Sequence, residues 1–139
     1  MRKVFADTAY WVAIVKPDDP SGKEARKVSE TLRNARIVTT DEVLAEFLTA
    51  LSRAGATMRA EASEMVRRIL RNPNVTAMPQ TRQSFLDGLE LYEKRKDKSY
   101  SLTDCISMNA MRSEGITEVL TTDTHFEQES LTRLLGTGG

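Results

Sequence analysis

Short runs containing β-branched residues, separated by amphipathic helical stripes, limit the fold of this chain more than any other feature. The runs are "RKVFA" (2–6), "RIVTT" (36–40), "NVTAM" (74–78), "EVLTT" (118–122) and a weaker "SLTRLL" (130–135). Each is bounded by turn or cap residues and reads as a strand. Between them, apolar residues recur at helical spacing: Ala25–Val28–Leu32–Ala35, Val43–Leu44–Phe47–Leu48–Leu51, Met58–Ala62–Met65–Val66–Ile69, Phe85–Leu86–Leu89–Tyr92, and Leu102–Cys105–Ile106–Asn109. Such stripes read as core faces. Ser21 with Glu24, Thr39 with Glu42 and Ser101 with Asp104 have capping-box spacing, and Gly55 and Gly115 mark helix ends. Strand–helix alternation implies an α/β fold, a three-layer α/β/α sandwich around a central parallel sheet of four or five strands. The 139 residues fit one domain, expected over 1–135, with 136–139 as a flexible tail.

Composition narrows the function classes. Cys105 is the only cysteine, so no internal disulfide forms and a reducing, cytoplasmic setting is expected. No run is long enough to span a membrane, and the N-terminus lacks the pattern of a signal peptide. Lys plus Arg equals Asp plus Glu at 20 each, so any basic surface for nucleic acid is local. The sequence "KRKDKS" (94–99) offers Lys94, Arg95, Lys96 and Lys98 as phosphate contacts. A solvated helix end explains the same residues equally well.

In parallel sheets, ligands bind beyond the carboxyl ends of the strands. Acidic residues gather there in this sequence. Asp7 follows the first strand; Asp41 and Glu46 follow the second; Asp104 opens the helix before the fourth; Asp123 closes the fourth. Singly, most have a structural explanation as helix or turn caps, and Glu46 reads as an exposed side chain. Together, carboxylates converging on one spot repel one another, and a divalent cation relieves that conflict. Oxygen ligands without a Cys or His cluster suit Mg²⁺, with Mn²⁺ as the alternative, and the lone His125 cannot build a zinc site by itself. Asp7 then reads as a metal ligand placed by a rigid, buried strand.

The stretches "VFADTAYWVA", "VTTDEVLAEFLTAL" and "YSLTDCISMNAMRSEGITEVLTTDTHF" resemble the PIN-domain ribonucleases, including VapC-type toxins. The resemblance runs over nearly the whole chain and includes a "T-x-D-x-x-F" ending. It implies Asp7, Glu46 and Asp104 as core metal ligands and catalytic residues, with Asp123 as a fourth. Thr8 supports Asp7 or a metal-bound water, and Thr122 matches a hydroxyl position beside the fourth acid. Asp41 has no metal role in that pattern and is left as a helix-start residue.

The activity implied is Mg²⁺-dependent endoribonuclease hydrolysis, leaving 5′-phosphate and 3′-hydroxyl ends. The implied partners are an RNA substrate, an antitoxin protein and a second copy of the chain in a homodimer. Alternatives are an RNA-maturation nuclease outside a toxin pair and a metal- or protein-binding module without turnover. A phosphatase of the haloacid-dehalogenase type wants a second Asp two residues after Asp7, where this chain has Ala9. A phospho-acceptor receiver domain wants acidic and Lys positions of which only Asp7 is matched.

Overall fold

The computed structural model describes residues 1–136. Its strands are β1 (Lys3–Ala6), β2 (Arg36–Thr40), β3 (Val75–Met78), β4 (Glu118–Leu120) and β5 (Thr132–Arg133). Its helices are α1 (Thr8–Val15), α2 (Gly22–Glu30), α3 (Asp41–Ala50), α4 (Ala56–Arg71), α5 (Arg82–Lys94) and α6 (Leu102–Ser113), with a 3₁₀ helix at Thr124–Glu129. The five strands form one sheet in the order β3-β2-β1-β4-β5, every pair parallel. The expected fifth strand is real but shortened to two residues. Of the expected tail, Gly136 donates its N–H to Glu24 Oε1 at 2.8 Å, and residues 137–139 lie outside the described residues.

β1 sits at the centre, and its Val4, Phe5 and Ala6 are fully buried. A strand covered on both faces is apolar at consecutive positions rather than alternating, which is how this one reads. Phe5 pairs with Val38 on one side and Val119 on the other. Helices α1 to α4 pack on one another, and α5 packs on α6. Right-handed crossovers place these groups on opposite faces of the sheet. The chain leaves β1 toward β2 and β3, then returns to β4 on the other side of β1. The topological switch therefore lies at the carboxyl ends of β1 and β4, where a crevice for ligands opens.

Two expectations about helices fail informatively. Phe85, Leu86, Leu89 and Tyr92 do not face the core but are exposed. α5 instead buries Gly88 and Leu91. A Cβ on Gly88 would lie 2.5 Å from Ile106 Cγ1 on α6, so the helix turns its smallest residue inward for a close crossing. Gly88→Ala is therefore expected to lower stability by ~1–2 kcal/mol in urea unfolding, because overpacking outweighs the helix propensity gained.

The second concerns caps. Thr40, not Thr39, caps α3 and accepts from Val43 N at 3.1 Å. The Thr39 hydroxyl turns inward and donates to Ala6 O at 2.9 Å. Ser21 makes no side-chain cap bond to α2. The Ser101–Asp104 box forms as expected, and Thr81 with Ser84 makes another that the sequence reading passed over.

Candidate metal centre

Asp7 is the first residue beyond β1, and its N–H donates to Leu120 O of β4 at 3.1 Å. That bond fixes it at the switch point. The residue is 7% exposed, and its carboxylate accepts from the Thr121 hydroxyl at 2.8 Å through Oδ2. Although Asp7 is the N-cap residue of α1, its side chain makes no cap bond. Its pKa is pushed up from 3.8 to about 6. Burial is the main cause; the Thr121 hydrogen bond opposes it, and the charges of Asp104 and Glu46 add to it. Asp104 and Glu46 thus both lie within electrostatic reach of Asp7.

Glu46 lies on the exposed side of α3, one turn after the acidic residues that start the helix. Its Oε1 accepts from the Thr8 hydroxyl at 2.5 Å. Thr8, the first residue of α1, holds Glu46 through its hydroxyl, while its backbone N–H favours the charged form of Asp7. Asp41 opens α3, and its Oδ2 accepts from Gln80 N at 2.9 Å, a structural role matching its reading as a helix-start residue.

Asp104 has two tasks. Its Oδ2 accepts from Ser101 N at 3.0 Å, closing the capping box of α6, and lies 3.1 Å from His125 Nδ1. Asp123 caps the 3₁₀ helix by accepting from His125 N at 2.9 Å, and its Oδ1 is 3.2 Å from His125 Nδ1. Ligand atoms of Asp104, Asp123 and His125 lie within 4.8 Å of one another, the one such group among the described residues. Asp7 and Glu46 are not part of that tight group.

Two residues in this arrangement escaped the sequence reading. His125 is alone of its type in the sequence, yet its ring lies between two of the four acids. The signal was present in the two-residue offset from Asp123, because an Asp cap that holds the N–H of its second successor also draws that side chain close. Thr121, the first residue of the "T-x-D-x-x-F" ending, provides the buried hydroxyl. Besides holding Asp7, its Oγ1 accepts from Asp123 N at 3.1 Å. Thr122, named from the resemblance, is exposed.

Behind the site lies a buried anion. Glu129, at the end of the 3₁₀ helix, has a side chain only 6% exposed. Arg95 reaches both its oxygens at 3.0 and 3.1 Å, Arg112 donates at 2.6 Å and the Tyr100 hydroxyl at 2.8 Å. These donors, Arg95 foremost, hold the Glu129 carboxyl down at about 2. Glu129 therefore pins the segment carrying Asp123 and His125 to α5 and α6.

Comparison with known proteins is consistent with this geometry. The PIN domain family model matches residues 4–129. No curated protein sequence matches the chain at a significant level. Among solved structures, Mycobacterium tuberculosis VapC20, described as a sarcin–ricin loop cleaving toxin, aligns with a TM-score of 0.83 and 22% identity, covering 93% of this chain and 96% of that one. Rickettsia felis VapBC2, bound to a DNA fragment from its promoter, aligns at 0.67 with 16% identity over 94% and 96% of the two chains. FitAcB of Neisseria gonorrhoeae aligns at 0.64 with 14% identity over 94% and 95%. At these identities the structures establish a shared fold, and the match over residues 4–129 establishes the family: the chain belongs to the PIN domain family.

Proposed function

We propose that the protein is a divalent-metal-dependent endoribonuclease and the toxin of a VapBC-type pair. The observation that carries this reading is the carboxylate of Asp7 buried at the switch point, with the Asp104–Asp123–His125 group beside the same sheet edge; burial chiefly, and the charges of Asp104 and Glu46 to a smaller extent, raise the Asp7 carboxyl. A divalent cation at the switch point would offset the cost of that buried charge. The donor set is oxygen-rich, so Asp7, Glu46, Asp104 and Asp123 would hold Mg²⁺, with Mn²⁺ as the alternative. His125 adds one nitrogen, which makes Mn²⁺ the more competitive. Such an ion, when bound, supplies Lewis acidity toward a phosphoryl oxygen and toward water.

The remaining work falls to the chain itself. Thr121 fixes the Asp7 carboxylate, and Thr8 fixes that of Glu46. The capping box fixes Asp104 at the start of a rigid helix. Placement of acids by buried strand ends and helix first turns gives the pre-organisation that in-line phosphodiester hydrolysis requires.

The toxin reading draws support from the likeness to VapC20, and an antitoxin partner from the likeness to VapBC2. Exposed Phe85, Leu86 and Leu89 on α5 support a homodimer; Leu51 is buried and Met58 packs on the core, so they offer no such face. No helix among the described residues is long and apolar enough to cross a membrane, and an RNA substrate accords with a cytoplasmic site of action.

The test is RNA cleavage by purified protein with Mg²⁺, with EDTA, and as Asp104→Asn. Asn keeps an acceptor for Ser101 N, so the helix cap survives while the charge is lost. Cleavage is expected with Mg²⁺, absent with EDTA, and at least ~10²-fold slower in the variant. Metal binding without any cutting by the parent protein would favour the binding-module alternative.

A further inference from the structure

The run of basic residues before α6 does not act as one patch. Arg95 is committed to Glu129, and Lys94 pairs with Glu90 at 3.0 Å. Lys96 has no acidic partner among the described residues, and Lys98 has only a loose one, Asp97 at 3.8 Å. Both lysines line a cavity of about 390 Å³ together with Tyr92, Glu93 and Tyr100. Its outer wall is Tyr92, an aromatic side chain left 50% exposed at the end of α5. Its inner wall is Tyr100, buried, with its hydroxyl held by Glu129 and its ring 5.4 Å from that of His125. His125 in turn contacts Asp104 and Asp123. The cavity therefore adjoins the acidic centre through a pair of rings.

We propose that this cavity is a nucleotide subsite for an unpaired stretch of RNA. It rests on the nuclease reading of the centre and adds the place on this chain where the strand is gripped beside it. Tyr92 stacks on one base, while Lys96 and Lys98 hold the phosphates on either side of it. The strand then passes His125 toward the four acids. Glu93 presents acceptor oxygens to the N–H groups of the stacked base rather than to its phosphates. Only an unpaired nucleotide frees a base face for Tyr92, so the subsite selects loops and single strands over duplex. The volume is that of a small-ligand pocket and accommodates one nucleotide.

The test uses a short, unstructured, fluorescein-labelled RNA and its annealed duplex. Binding is followed by anisotropy in the Asp104→Asn background, which blocks cutting, and KM and kcat are measured in the parent background. Tyr92→Ala is expected to weaken single-strand binding roughly tenfold and raise KM with little change in kcat, whereas Tyr92→Phe retains both. Lys96→Ala with Lys98→Ala should make the dependence of log affinity on log salt shallower by about 1.4, the value for two phosphate contacts on a single strand. The duplex should bind more weakly than the single strand.

Unchanged affinity and KM in both variants overturn the subsite, while cleavage by the parent protein leaves the nuclease reading standing. A parent protein that neither binds nor cuts RNA overturns both. If Tyr92→Ala spares RNA affinity but dissociates a second copy of the chain in sedimentation, the face belongs to a protein contact and the subsite is excluded.

Discussion

Asp7→Asn is expected to abolish RNA cleavage, by on the order of 10³-fold, and yet to make the metal-free protein more stable at pH 7. Both effects have one cause. The Asp7 carboxyl is raised to about 6 chiefly by burial, with Asp104 and Glu46 adding to it. Between its ordinary value of 3.8 and about 6, the folded state keeps a proton that the unfolded state has released. Stability of the metal-free protein therefore falls as pH rises through that window and levels off above it. At pH 7 the charged side chain destabilises the fold by about 3 kcal/mol, which the neutral amide restores. Asn Oδ1 still accepts from Thr121, and the side chain no longer carries a charge that Asp104 and Glu46 repel. Urea unfolding in EDTA at pH 4 and pH 7 checks this: the variant should lack the decline shown by the parent. At a Mg²⁺ concentration near the parent's dissociation constant, the parent should be stabilised more than the variant.

Glu129→Gln should act with the opposite sign. Its carboxyl is held at about 2 by Arg95, Tyr100 and Arg112, so its contribution is fully present above the unfolded value near 4.5. The contribution is lost as pH falls through about 2. Substitution leaves two guanidinium groups sharing a weaker, neutral acceptor and is expected to lower stability by about 2 kcal/mol at pH 7, after allowance for the partial exposure of both arginines. The difference between parent and variant should shrink between pH 4.5 and pH 2. Cleavage should slow as well, since Glu129 holds the segment that carries Asp123 and His125. Unchanged stability at pH 7 would show that the three donors do not depend on this anion.

The sheet was legible because each strand is a short run with β-branched residues between turn residues, and because helices intervene wherever parallel strands need a crossover. The cap formed by Asp104 was legible for a local reason, the three-residue spacing from Ser101, whereas its place among the expected ligands came from the family resemblance. Asp7, Glu46 and Asp123 could be gathered on paper because parallel strands put their carboxyl ends on one edge. The buried face of α5 was not legible. Its apolar stripe is regular, but Gly88 permits a close approach to α6 on another face, and an apolar count carries no information about that. Nor was the Glu129 hub, whose partners at 95, 100 and 112 meet it only through tertiary packing. Thr121 and Thr122 are the same residue type side by side; only the backbone at the end of β4 decides which hydroxyl turns inward.

Direct measurement of divalent-ion binding tests the central claim most sharply. Mn²⁺ titrated into the parent protein and followed by electron paramagnetic resonance should show saturable binding at pH 7. Asp7→Asn and Asp104→Asn should each weaken it by more than about tenfold, with Glu46→Gln in the same direction. Equal affinity in the parent and all three variants would contradict the account, because the acids at the ends of β1 and β4 would then hold no ion in common.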